Sequence, residues 1–163
     1  MTTLGHSLTG LAALTLCMPK RLTNRQQFFW VICFISLASL PDWPLPGWGH
    51  RQLLVSHSLW VNLIICTLVV ATLRIMSPLS FGNIRILICG GAAWMSHLGM
   101  DTLYGDLPGV IIHWPFSDNL VSLPLPWLKS LPQVPPPFDI KVLKILLFEF
   151  LTFSPLVLIA YVL

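Results

Sequence analysis

Apolar runs recur along almost the whole of this 163-residue chain, so its principal solvent has to be lipid rather than water. Hydrophobic side chains make up 55% of the residues and charged ones only 9%, with a mean hydropathy of +0.79. That balance lies outside the soluble globular range and leaves no stretch for a separate soluble domain. One membrane-embedded domain over residues 1–163 is therefore expected. The net charge of +3 contains no basic stripe that could follow a phosphate backbone, so nucleic acid is not an expected partner. Cys17, Cys33, Cys66 and Cys89 lie inside apolar stretches without CxxC spacing and read as small buried apolar residues.

A crossing helix needs about 20 apolar residues, with about 17 the usual lower limit. Five segments approach this, running roughly from Leu4 to Met18, Phe28 to Leu40, Leu53 to Ile75, Ile84 to Leu103 and Val142 to Leu163. The fold class this predicts is all-α, a polytopic transmembrane bundle of about five helices. Between the last two segments, residues 104–141 carry eight prolines, which forbid a continuous helix. The same stretch holds Trp114, Phe116 and Trp127, so it is expected at the membrane interface as a lid or re-entrant loop. No Lys or Arg precedes Lys20, so the first apolar segment is expected to remain rather than be cleaved as a signal peptide.

Orientation follows from the positive charges. Lys20, Arg21, Arg25, Arg74 and Arg85 fall after the first and third segments, where there is no acid. Those loops are expected in the cytoplasm, which puts the N-terminus outside and the other face in the periplasm. Trp43, Trp48, Trp114 and Trp127 belong to that outer face, as an interfacial aromatic belt would.

Alternating helix directions then carry His6, Asp42, His57, His97 and Asp101 to the same end of the bundle, with His57 expected in the first turns of the third helix. Ionisable groups in membrane segments are costly unless paired, hydrated or ligated. His97 and Asp101 stand four residues apart and project from one side of a helix. Taken alone, such a pair is most often a helix-surface ion pair; the convergence points instead to a divalent-metal site formed by His6, Asp42, His50, His57, His97 and Asp101. Imidazole and carboxylate ligands suit Zn²⁺, with Mn²⁺ or Fe²⁺ as alternatives, and the absence of thiolates favours a catalytic over a purely structural ion. Asp42 or Asp101 would serve instead as general base toward the metal-bound water, and Arg51 would either hold an anionic oxygen of the substrate or snorkel to the interface. His113 is expected to anchor its loop rather than join the site.

The order of Gly5-His6-x3-Gly10, Leu40-Pro41-Asp42, His50-Arg51-x4-Ser56-His57-Ser58, His97-x3-Asp101 and Trp114-Pro115-Phe116 resembles the YdjM family. These are LexA-regulated bacterial inner-membrane proteins described as metal-dependent hydrolases, and the likeness covers roughly residues 1–120. It implies a helical membrane protein with metal ligands at His6, Asp42, His57, His97 and Asp101, and His50 as a further one. That family is distantly similar to zinc-dependent phospholipase C and related nucleases, which implies a phosphate ester, lipid-borne or lipid-linked, as the substrate class. Where the family often has a second acid two positions after the Asp of its Pro-Asp motif, this chain has Pro44. The competing expectation is a small membrane transporter or cation-binding protein using the same cluster, although transporters usually bind near the midplane between repeated halves and no repeat is evident.

Overall fold

Residues 3–18, 22–42, 55–76, 81–131 and 139–163 are described by the computed structural model of the protein. Among them the chain forms five α-helices: α1 (Thr3–Cys17), α2 (Asn24–Ser39), α3 (Leu59–Met76), α4 (Phe81–Asp101) and α5 (Ile140–Val162). A single 3₁₀ turn, Leu40–Asp42, extends α2. No strand forms among the described residues, and two isolated bridges pair Tyr104 with Leu125 and Val110 with Val121.

Two helices begin away from the ends of their apolar runs, and local capping explains both. At α2, Thr23 Oγ1 accepts the Gln26 backbone N–H while Gln26 Oε1 accepts the Thr23 N–H, satisfying two donors at the helix start. The polar residues Asn24–Gln27 are thereby wound into the helix. At α3, residues 55–57 form a turn and Ser58 Oγ accepts the Val61 N–H as an N-cap, so the helix begins after His57 rather than before it. His57 therefore stands on the turn leading into α3, not in its first turns.

The first helix is the hub, packing against α2, α4 and α5, while α2 also packs on α4 and α3 runs along α4. One buried cluster joins Leu14 and Cys17 of α1 to Phe34 of α2 and Ala93 of α4. Cys17 is buried and the other three cysteines are half-buried, all as free thiols. In α5 the buried residues Val142, Glu149, Phe153 and Ala160 form one stripe, and Leu143, Leu147, Leu151 and Leu158 are exposed. A helix that buries one stripe and stays apolar elsewhere is suited to lipid contact. By length and composition α5 can cross a bilayer; the apolar helices Leu4–Cys17 and Leu59–Ile75 are shorter than that.

The chain after α4 folds back on the helix end. Leu123 and Leu125 donate backbone N–H groups to the carbonyls of Thr102 and Leu103, each at 2.8 Å. Tyr104 and Leu128 are buried there with Met100 and with Phe153 of α5. Gly109 takes a φ of 103°, and a Cβ at that position would lie 2.7 Å from the Val121 carbonyl oxygen, so the turn requires glycine. The segment also reaches the start of α3, where Leu59 N–H donates to Ile112 O at 2.8 Å and the Ser58 hydroxyl to Trp114 O. His113 is exposed, and its carbonyl accepts the N–H groups of Phe116 and Ser117.

α1 and α2 approach closely at Gly10, where a Cβ would lie 2.6 Å from the Phe34 carbonyl oxygen and 3.0 Å from the Ala38 Cβ. Small residues at such a crossing let the backbones meet. Gly10→Val should force the helices apart at a cost of about 1–3 kcal/mol. Thermal unfolding in detergent is the check, and an unshifted midpoint would mean that the approach is dispensable.

Candidate metal centre

Four chain segments deliver the cluster. His6 comes from the first turns of α1, Asp42 from the 3₁₀ turn after α2, His57 from the turn before α3, and His97 with Asp101 from the last turns of α4. The antiparallel course of successive helices brings these termini to one end. His6, His97 and Asp101 are almost fully buried, whereas the Asp42 side chain keeps 27% of its surface exposed.

Each imidazole presents Nε2 to both carboxylates. His6 Nε2 lies 3.6 Å from Asp42 Oδ2 and 3.6 Å from Asp101 Oδ1. The Nε2 of His57 lies 3.5 Å from Asp42 Oδ1 and 3.2 Å from Asp101 Oδ2. For His97 the same two oxygens stand at 3.4 and 3.3 Å. Most of these separations are too long for good hydrogen bonds. They match the edge of a coordination tetrahedron, which is about 3.4 Å when ligand atoms stand about 2.1 Å from an ion.

The groups around the cluster set its protonation. His97 Nδ1 lies 2.8 Å from the Ala38 carbonyl oxygen, which can only accept, so Nδ1 carries a proton and it is Nε2 that the neutral ring would offer as a ligand. His57 Nδ1 is engaged by Ser56 Oγ at 2.8 Å. Neither ring nitrogen of His6 makes a hydrogen bond although the side chain is 1% exposed, which is unusual for a buried imidazole without a ligand. Burial pulls the His57 imidazole down, but the facing carboxylates of Asp101 and Asp42 outweigh it and hold it above its ordinary value. A divalent cation meets the charge of the two carboxylates and the donor set of the imidazoles. His6, Asp42, His97 and Asp101 alone supply ligand atoms all within 4.8 Å of one another, a group able to hold a metal ion.

His6, Asp42, His57, His97 and Asp101 are thus brought together, while His50 and Arg51 lie outside the described residues. Sequence reasoning passed over Asn62. Its Nδ2 donates to the carbonyls of Ser56 and Ser58 at 2.9 and 2.7 Å, and its Oδ1 accepts Trp94 Nε1–H at 2.7 Å. It staples the His57 turn to α3 and α4, and a lone amide in an otherwise apolar run was the signal. Also unforeseen is the buried pair in which the Tyr104 hydroxyl donates to Glu149 Oε1 at 2.7 Å. Burial and the adjacent Glu149 push the Tyr104 phenol up, so it stays protonated and can make that bond.

Asn62→Leu should leave the Trp94 N–H without its acceptor, at about 1–3 kcal/mol for a buried group left unsatisfied, and remove the side-chain donor to the Ser56 and Ser58 carbonyls. By loosening the His57 turn it should also weaken metal binding roughly 10–100-fold. Metal titration of the variant checks this, and parental affinity would show that the staple does not position the ligand.

No family model, curated protein or solved structure matches the chain.

Proposed function

We propose that the protein is a membrane-bound, divalent-metal-dependent hydrolase of phosphate esters, acting on a phospholipid or a lipid-linked phosphate. The observation that carries this reading is the approach of three largely buried imidazole Nε2 atoms to both carboxylates at 3.2–3.6 Å. The resemblance to the YdjM family supports it, as does the mixed nitrogen and oxygen donor set, which suits Zn²⁺ first and Mn²⁺ or Fe²⁺ next. When bound, such an ion supplies Lewis acidity toward a phosphoryl oxygen and lowers the pKa of water it holds.

Roles divide by burial. Asp101, almost fully buried, serves as a ligand, and His6, His57 and His97 complete the set with Asp42. The partly exposed Asp42 borders the side from which solvent reaches the cluster, and the attacking water gives up its proton to solvent there. Water adds to phosphorus, the ester P–O bond breaks, and the alcohol departs after taking a proton from solvent. Arg51 is assigned to the anionic oxygen of the substrate, and His50 to a further ligand position.

The membrane assignment extends from α5 to a multi-pass bundle in a bacterial inner membrane, with the N-terminus and the site on the periplasmic side. Exposed Phe116, Leu120, Leu123 and Trp127 on the segment after α4 support an interfacial position next to the site. A lipid-borne ester could enter there without leaving the bilayer.

Metal analysis of the detergent-solubilised protein beside His97→Ala/Asp101→Ala, with a panel of phosphomonoesters and phosphodiesters including lipid-linked ones, tests the reading. The parent should keep about one or two ions and hydrolyse an ester, and the variant should do neither. A parent that holds no metal after loading would remove the basis for the proposal.

A further inference from the structure

The two carboxylates do not present themselves to the three imidazoles in the same way. Asp42 turns Oδ2 toward His6 and Oδ1 toward His57 and His97. Asp101 divides likewise, with Oδ1 toward His6 and Oδ2 toward His57 and His97. A carboxylate bound to a single ion needs no such division, whereas one bridging two ions offers one oxygen to each.

The rings give an independent indication. Those of His6 and His97 are stacked, with centroids 3.8 Å apart and planes inclined by 12°. The lone pair of an imidazole nitrogen lies in the ring plane, so near-parallel stacked rings direct their lone pairs alongside one another rather than to one point. One ion at about 2.1 Å from both nitrogens would have to sit well out of plane for at least one ring. Paired ions in two-metal hydrolytic sites stand about 3.5–4 Å apart, close to the ring spacing.

From these two observations we infer that the cluster is a dinuclear centre in which Asp42 and Asp101 each bridge two divalent ions, one on the His6 side and one on the His57–His97 side. The inference rests on the metal-site reading above and deepens it. The two sides are unequal. Among the described residues, the His57–His97 side has two imidazoles and two carboxylate oxygens, the four donors of a closed zinc site, and the His6 side has one imidazole and two oxygens. The side with fewer described donors is where water and substrate would bind. Two divalent ions against two carboxylates also leave an excess positive charge, which an anionic phosphate ester neutralises. Grouping by distance alone puts His6, Asp42, His97 and Asp101 on one ion and omits His57, yet His57 Nε2 stands as close to the same two oxygens as His97 does.

The test counts zinc per chain in the full-length, detergent-solubilised protein after loading and dialysis, and records the electron paramagnetic resonance of a manganese-loaded sample. About two zinc ions per chain and an exchange-coupled manganese spectrum are expected. His6→Gln should drop to about one ion with an uncoupled six-line spectrum, circular dichroism confirming its helix content. One ion in the parent, or two with uncoupled manganese, overturns the dinuclear centre and leaves the hydrolase proposal standing. No ion in the parent overturns both, and the parent count decides even if the variant fails to fold.

Discussion

Asp101→Asn should abolish metal retention while leaving the helical fold in place. The substitution keeps the volume of a side chain that is almost fully buried, so it opens no cavity. What it removes is the anionic charge and one good oxygen donor at a point faced by His6, His57 and His97 within 3.2–3.6 Å. Taking one partner out of a buried charged cluster costs about 3–5 kcal/mol, which corresponds to roughly a 10²–10⁴-fold loss of metal affinity. Isothermal titration with zinc, alongside the parent, reads this directly. Asp42→Asn should cost less, since the Asp42 side chain is partly exposed and its charge is better screened. Equal losses in the two variants would argue against the burial-based division of roles, and parental affinity in Asp101→Asn would remove Asp101 from the ligand set.

Much of this site could be read from spacing alone. The apolar runs announced the helices, and alternating helix directions sufficed to carry α1, α2 and α4 termini to one end. Thr23 and Gln26 could have extended α2 to Asn24, because a Thr three residues before a Gln is a capping-box pattern, but four polar residues interrupted the apolar run that defined the helix. The start of α3 was harder to place. Val55 to Leu59 reads as helix on hydropathy, and only the hydrogen bonds that hold Ser58 and Asn62 to their neighbours show that the chain turns there first. Glu149 was visible as a lone acid in an apolar helix, yet its partner, Tyr104, lies 45 residues away and no periodicity connects them. The division of each carboxylate between His6 and the other two histidines is invisible in sequence, because it depends on side-chain direction rather than on residue order. The apolar character was legible in composition, but length decides helix by helix, and among the described residues α5 is long and apolar enough to cross a membrane where the apolar stretches of α1 and α3 are shorter.

Chelation should lower the thermal midpoint substantially, and the loss should grow as pH rises. Five ionisable side chains from four segments converge at this end of the bundle, so an ion there ties α1, α2 and α4 together with the turn before α3. An ion at about a thousand times its dissociation constant stabilises the folded state by about 4 kcal/mol, or roughly 8–16 °C for a chain of this size. The pH dependence follows from His57, whose imidazole is held above its ordinary value by Asp101 and Asp42 once the ion is removed. In the metal-free protein this raised group adds stability that is fully present below its unfolded value near 6.5 and is lost as pH climbs through the folded value. With metal present the sign reverses, since the ion needs the neutral imidazole and competes with the proton. The gap in midpoint between metal-loaded and chelated protein should therefore be small near pH 5 and widen steadily above neutrality. Differential scanning fluorimetry at about pH 5–9, with and without chelator, measures it. A gap independent of pH would mean that metal binding displaces no proton from the cluster, and a gap that narrows with pH would place the ion away from the imidazoles.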